Sequence, residues 1–192
     1  MNHISIEGMD GVGKSTTCKL LSERLGYKFV EKPLHYLFDK SEEKFDEYIR
    51  IRDQVNENQN RVFTSWFYGL GSIYMYEKFK CDNIVTDRHF ASNYAWSGDD
   101  SNGEVYDLLI QKLGKPMLTI ILYSPSKTII NRLISRDKND SDINKAKKSE
   151  YIYKRMIEFC ETKEFPYLVI DTSNLRPEEV VERIVRELKK NE

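Results

Sequence analysis

The stretch Ile4-Ser5-Ile6-Glu7-Gly8-Met9-Asp10-Gly11-Val12-Gly13-Lys14-Ser15-Thr16 decides the fold of this chain. Ile4 to Glu7 read as a strand, Gly8 to Ser15 satisfy G-x-x-x-x-G-K-[ST], and a helical pattern begins at Lys14, which is the strand-turn-helix setting that this phosphate-binding motif requires. The glycines let backbone N–H groups turn inward around phosphate oxygens, and the new helix adds the positive end of its dipole. Lys14 is placed to reach the β- and γ-phosphates of a nucleoside triphosphate, and the Ser15 hydroxyl to ligate Mg²⁺.

Outward from this loop, short apolar runs alternate with longer helical stretches, the pattern of a parallel sheet wrapped by helices. Strands are expected at Ile4–Glu7, Lys28–Glu31, Ile84–Asp87, Leu118–Tyr123 and Tyr167–Asp171. The implied class is α/β: a five-stranded parallel sheet of P-loop NTPase type flanked by helices, with a short lid, as one domain over residues 1–192. The helix from Lys14 to Leu25 stops at Gly26, a residue suited to a left-handed cap. A last helix opens at Pro177 and carries Val180, Val181, Ile184, Val185 and Leu188 on one apolar face. Between Glu42 and Lys80 two helices are expected, the first opening with Glu42, Glu43, Lys44, Asp46 and Glu47, the second crowded with Phe63, Trp66, Phe67, Tyr68, Tyr74, Tyr76 and Phe79. About half of those rings are expected in core or subunit contacts.

The 192 residues are 40% hydrophobic and 32% charged, a globular composition, and the formal net charge of −1 provides no global field toward a nucleic-acid polymer or an anionic membrane. A phosphate-bearing ligand must therefore be held locally. Cys18, Cys81 and Cys160 form no C-x-x-C pair, which argues against both a disulfide framework and a zinc site and fits a reducing, cytoplasmic setting. The first residues lack a signal-peptide pattern, and no later run approaches a membrane span.

A second anchor lies at Asn83-Ile84-Val85-Thr86-Asp87-Arg88, a strand ending in an acid and then a base. Asp87 is the candidate for Mg²⁺ or its water shell, and Arg88 for a bidentate clamp on a second phosphate.

Together these segments resemble the thymidylate kinases among the P-loop nucleoside and nucleotide kinases. ISIEGMDGVGKST is similar to that family's strand and phosphate loop, DRHFASNYAW to its D-R-[YH]-x-x-S-x-x-A-[YW] signature, and VIDTSNLRPEEV to its adenine-side loop and final helix. The resemblance implies phosphoryl transfer from ATP to dTMP with Mg²⁺, a nucleoside monophosphate as the small-molecule partner, and a homodimer. Residue by residue it implies that Gly8 through Thr16 hold ATP. Arg88 holds the acceptor phosphate, and Asp10 lies near that phosphate, the sugar and the metal. It further implies that Asn93 meets the pyrimidine edge, that Trp96 presses on the deoxyribose, and that Phe63 stacks on the base, a contact worth roughly 1–3 kcal/mol. His89 takes an aromatic-or-His position of the signature, with a structural role.

The chain departs from this family in places. Phe67 stands where thymidylate kinases usually carry an Arg that bonds the base. After the second strand, Glu31-Lys32-Pro33 is neither the family's Arg-bearing turn nor the Glu-Pro pair of deoxynucleoside kinases. Lys32 can stand in for the Arg, or Glu31 for a general base on a nucleoside 5′-hydroxyl.

Phosphoryl transfer asks chiefly for alignment and positive charge around the migrating group. In one branch of the resembled family an arginine comes from inside the loop, where this chain has Gly11-Val12, so the resemblance implies that the lid segment 136–149 contributes it. Arg136 is the expected transition-state and ATP-side clamp, with Arg132 one helical turn before it and Lys138, Lys145, Lys147 and Lys148 beyond. The same residues also read as a solvated loop. Two rivals to a monophosphate kinase remain at this point: a deoxynucleoside kinase, and a P-loop regulatory protein with no small acceptor.

Overall fold

The computed structural model describes residues 1–39 and 45–190. Five strands, β1 (His3–Gly8), β2 (Lys28–Glu31), β3 (Ile84–Asp87), β4 (Leu118–Tyr123) and β5 (Tyr167–Asp171), form one sheet in the order β2-β3-β1-β4-β5, with every pairing parallel. All five lie where the apolar runs place them. All six residues of β1 are buried, as befits a central strand covered on both faces.

In chain order the helices are α1 (Lys14–Leu25), α2 (His35–Phe38), α3 (Asp46–Glu57), α4 (Arg61–Lys78), α5 (Phe90–Ser97), α6 (Gly103–Leu113), α7 (Ser126–Arg136), α8 (Asp142–Ala146), α9 (Ser149–Thr162) and α10 (Pro177–Lys190). Helix α1 ends at Gly26 in the left-handed conformation, whose N–H reaches back to the Glu23 carbonyl. Helix α10 buries Val180, Val181, Ile184 and Val185 and places Glu178 and Glu179 in its first turn and Lys189 and Lys190 in its last, complementing its dipole. The two helices expected between Glu42 and Lys80 are α3 and α4, while Glu42, Glu43 and Lys44 lie outside the described residues.

The chain leaves β1 for β2 on one side of the sheet and adds β4 on the other, so the strand order switches direction at β1. In an open α/β sheet the crevice beyond the carboxyl ends at such a point is the natural ligand site. The register aligns those ends: Asp87 lies opposite Ile6 and Glu31, and Gly8 opposite Leu122. Across the crevice, segment 136–149 folds partly as α8, anchored by buried Ala146.

Candidate active site

At the end of β1 the backbone enters conformations that favour glycine. Gly8, Gly11 and Gly13 have φ of 137°, 84° and 98°. At Gly8 a Cβ would also meet the Leu122 carbonyl oxygen at 2.5 Å. Gly13 caps α1 with no side-chain hydrogen bond, and the first turn of α1 holds no acidic residue of its own, so its N–H groups and positive dipole end face the crevice. Met9 and Val12 turn their side chains into the core, and the Val12 carbonyl accepts a hydrogen bond from Thr172 Oγ1 at 3.3 Å, which ties the loop to the segment after β5.

Lys14 is buried, and its Nζ donates to the Met9 carbonyl at 2.8 Å and lies 3.4 Å from Asp10 Oδ1. The same Asp10 oxygen accepts from Arg88 Nη2 at 2.8 Å. Burial would raise the Asp10 carboxyl, but Arg88 and then Lys14 override it and hold the group well below the usual carboxylate range. Burial pulls the Lys14 ammonium down, with Arg88 repelling it and Asp10 and Asp87 partly restoring it. Asp10 thus bridges the loop lysine and Arg88 as an ionised link.

Ser15 Oγ donates to Asp87 Oδ2 at 2.6 Å, so the two residues expected near a metal meet at the foot of α1. Arg88 has φ of 73°, a left-handed conformation that costs a non-glycine residue about 1–3 kcal/mol and clusters at functional sites. Its N–H bonds the Ile6 carbonyl at 2.9 Å. Buried Glu7 holds the turn that follows, its Oε2 accepting from the backbone N–H groups of His89 at 3.2 Å and Ser92 at 3.1 Å. Burial raises the Glu7 carboxyl, with those hydrogen bonds and Arg88 acting against it. At the far end of α5, Arg155 on α9 donates to the carbonyls of Ala95, Tyr94 and Gly98, fixing the helix that presents Asn93 and Trp96.

These groups share a cleft of about 930 Å³. Asp10, Gly11, Gly13, Lys14, Ser15, Thr16, Lys32, Asp87, Arg88, Asn93, Trp96, Arg132 and Arg136 all line it, as do Lys145 and Lys148. Arg132 donates to the Thr172 carbonyl at 2.7 Å, and Arg136 pairs with Asp140 while its side chain stays 61% exposed. Among the described residues the lining holds nine Lys or Arg against five Asp or Glu, although the whole chain carries a net −1. The local positive field that the neutral composition required is therefore present.

The structure does not bring Phe63 to the cleft. It sits on the outer face of α4, 49% exposed, and the α4 ring lining the cleft is Tyr68. Sequence reasoning also missed Tyr48, Arg52, Asp53 and Asn56 on α3 and Arg61 on α4. A signal was available: Tyr48, Arg52 and Asn56 recur at helical spacing and so share one face. Tyr68 Oη donates to Asn56 Oδ1 at 2.8 Å, joining α3 and α4 beside the cleft. His89 is buried, its ring centroid 4.8 Å from that of His3 and 4.0 Å from that of Phe90.

A glycine cradle before a helix, a lysine and a carboxylate sharing it, and an arginine facing both define a P-loop phosphotransferase of the nucleotide kinase class. The thymidylate kinase family profile matches residues 6–184, and the chain belongs to that family. It is 30% identical over 155 residues to a protein of Metallosphaera sedula named "Probable thymidylate kinase", covering 78% of this chain and 74% of that one. It is 28% identical to a protein of Thermococcus kodakarensis named "Putative adenylate kinase", covering 95% and 82%. Its fold is similar to that of deoxyadenosine kinase from M. mycoides, solved with products dCMP and a flexible dCDP bound, at TM-score 0.64 and 20% identity over 98% and 99% of the two chains. The chain is a nucleotide kinase, with ATP the phosphate donor that its family implies and a small nucleotide as its substrate. Among the described residues no helix is long and apolar enough to cross a membrane.

Proposed function

We propose that the protein transfers the γ-phosphoryl group of ATP to dTMP, giving ADP and dTDP. The observation that carries this reading is the Lys14–Asp10–Arg88 linkage: one carboxylate oxygen faces both the loop cation and an arginine whose Nη1 is buried and, among the described residues, without a hydrogen-bond partner. An orphaned buried donor is costly, and an acceptor phosphate beside it removes that cost. Gly8 to Thr16 would hold the ATP phosphates, with Arg132 and Arg136 on the donor side. Asn93, Trp96 and Lys32 would line the acceptor.

Ser15 and Asp87 offer a hydroxyl and a carboxylate, hard oxygen donors that suit Mg²⁺, and would hold it where it neutralises charge on the transferred group. A monophosphate oxygen is already anionic at neutral pH, so the chain's task is alignment and charge stabilisation, with no general base. Segment 136–149 acts as a lid within a single domain, bringing Arg136, Lys145 and Lys148 over the phosphates and excluding water. Phe63, Trp66, Leu70 and Ile73 form an exposed apolar stripe on α4, a surface suited to a second copy of the chain, and we read the protein as a homodimer. The three unpaired cysteines fit a cytoplasmic setting.

Glu31 supports a second reading. It lines the cleft paired with Lys32 Nζ, where a base for a nucleoside 5′-hydroxyl would stand. A panel of nucleosides and monophosphates incubated with radiolabelled ATP decides between the two. Label on dTMP is the expected result, and label on thymidine but not dTMP would overturn it.

A further inference from the structure

We propose that Arg52 commits the acceptor end of the cleft to a phosphate monoester instead of a free 5′-hydroxyl, by presenting with Lys32 and Arg88 a third cation to the incoming dianion. The inference rests on the reading above that Arg88 faces the acceptor. It adds a residue that no motif marked, on a helix that contributes no residue to the phosphate loop or the Asp87-Arg88 anchor.

Arg52, Lys32 and Arg88 line the same cleft from three separate segments: α3, the turn after β2, and the turn after β3. Lys32 and Arg88 both hold left-handed backbone conformations, φ 45° and 73°, so two of the three cations are carried on strained turns. Each cation makes one ion pair with a carboxylate, namely Asp53, Glu31 and Asp10 respectively, while Asp87 also acts on Lys32 and Arg88. Those pairs leave donors over. Arg52 spends Nε and Nη2 on a single Asp53 oxygen, at 2.9 and 2.6 Å, and among the described residues its Nη1 has no hydrogen-bond acceptor. Arg88 Nη1 is buried and, among the described residues, unpartnered.

The like charges also act on one another. Burial lowers the Lys32 ammonium, and repulsion from Arg52 and Arg88 lowers it further against the pull of Asp87 and Asp10. The Tyr48 and Tyr68 phenols feel both arginines. A cluster of positive groups with spare donors is relieved by an anion of several oxygens, whereas a neutral hydroxyl leaves both the repulsion and the orphaned N–H groups in place. Asp53 is a weak competitor, since its carboxylate is 55% exposed and Arg52 itself is 31% exposed.

The test is calorimetric binding of nucleosides and their 5′-monophosphates, with thymine, cytosine, adenine and guanine bases, to the wild type, Arg52→Gln and Arg52→Lys. The quantity read is the affinity gained from the phosphate, the nucleoside Kd divided by the monophosphate Kd. Arg52→Gln is expected to cut that ratio by roughly 10- to 100-fold, the value of a charge-assisted hydrogen bond, while leaving nucleoside Kd unchanged. Arg52→Lys should recover part of the loss. Thermal melts of both variants should match the wild type, because the Asp53 pair is solvated. An unchanged ratio, or equal weakening of nucleoside and monophosphate, would overturn the proposal and make Arg52 a surface ion pair or a base contact. If the wild type binds monophosphates of another base and not dTMP, the dTMP reading fails while the ratio still judges Arg52.

Discussion

The phosphate loop and first turn of α1, which line one side of the cleft, are one unbroken run of chain, Gly8 to Thr16, whereas the side that we propose takes the acceptor is assembled from the turns after β2 and β3 and from α3, α4 and α5. A loop that binds phosphate through backbone N–H groups needs only local glycines and a helix start, so its sequence is its structure. A pocket that reads a second substrate depends on how separate helices pack. The first is hard to alter without losing the reaction or the fold, and the second tolerates change that shifts affinity.

The largest effect should come from Lys14→Ala. It removes the buried cation that we propose faces the transferred group, and kcat should fall by about 10²–10³-fold with the fold retained. Steady-state kinetics beside circular dichroism check this, and an unchanged kcat would break the donor assignment. Gly8→Ala attacks the same end through the backbone. With φ of 137° and a carbonyl 2.5 Å from the added methyl, it should cost about 1–3 kcal/mol or more in denaturant unfolding. Arg88→Ala belongs to the other end. It should lower acceptor kcat/KM by roughly 10- to 100-fold with little change in ATP affinity, and weaker ATP binding alone would move Arg88 across the divide.

The charged linkage between the two ends and the buried histidines behind it differ in their response to acid. Asp10, which joins them, is held low by Arg88 and Lys14 against its burial, so its stabilising contribution is complete above the ordinary Asp range and is lost as pH falls below it. Burial lowers His3 to about 3 and also lowers His89, which His3 repels. A depressed histidine favours the folded state fully above its ordinary value of 6.5, and that contribution drains away as pH drops from there toward 3. The Tm should therefore begin to fall near pH 6.5, before carboxylates titrate. His89 follows Arg88 directly, so amide exchange should quicken first at the turn before α5. A Tm that stays flat down to pH 4 would contradict the buried neutral state of this pair.

The same contrast governs what could be read before the fold was seen. The five strands, α1 and α10 were legible because each is a local pattern: an apolar run between turns, or a 3.6-residue face closed by Gly26 or opened by Pro177. The cluster of Asp10, Lys14, Ser15, Asp87 and Arg88 was legible because parallel register places the ends of β1 and β3 side by side. Arg52, Asp53 and Asn56 were legible only in part: the spacing of Tyr48, Arg52 and Asn56 marks one shared helix face, but nothing local says whether that face turns to water or to a cleft. The expectation for Phe63 failed for the related reason that a family resemblance carried onto one aromatic residue does not fix the rotation of α4 about its axis.

The smallest expected effect tests that rotation. Phe63 and Tyr68 are five residues apart on α4, and at 100° per residue their side chains leave the helix about 140° apart, so the two rings do not face one pocket. Phe63→Ser should change acceptor KM by less than about twofold, and Tyr68→Ala should raise it by roughly 5- to 100-fold, the range for loss of a stacked ring. What Phe63→Ser should disturb is assembly. Trp66, Leu70 and Ile73 continue its stripe at intervals of three and four residues, and a polar residue at the stripe's start should shift sedimentation toward a monomer. A large KM increase in Phe63→Ser with sedimentation unchanged would mean that α4 turns its outer face inward when substrate binds, and the acceptor end would then be a surface remade on binding instead of a fixed pocket.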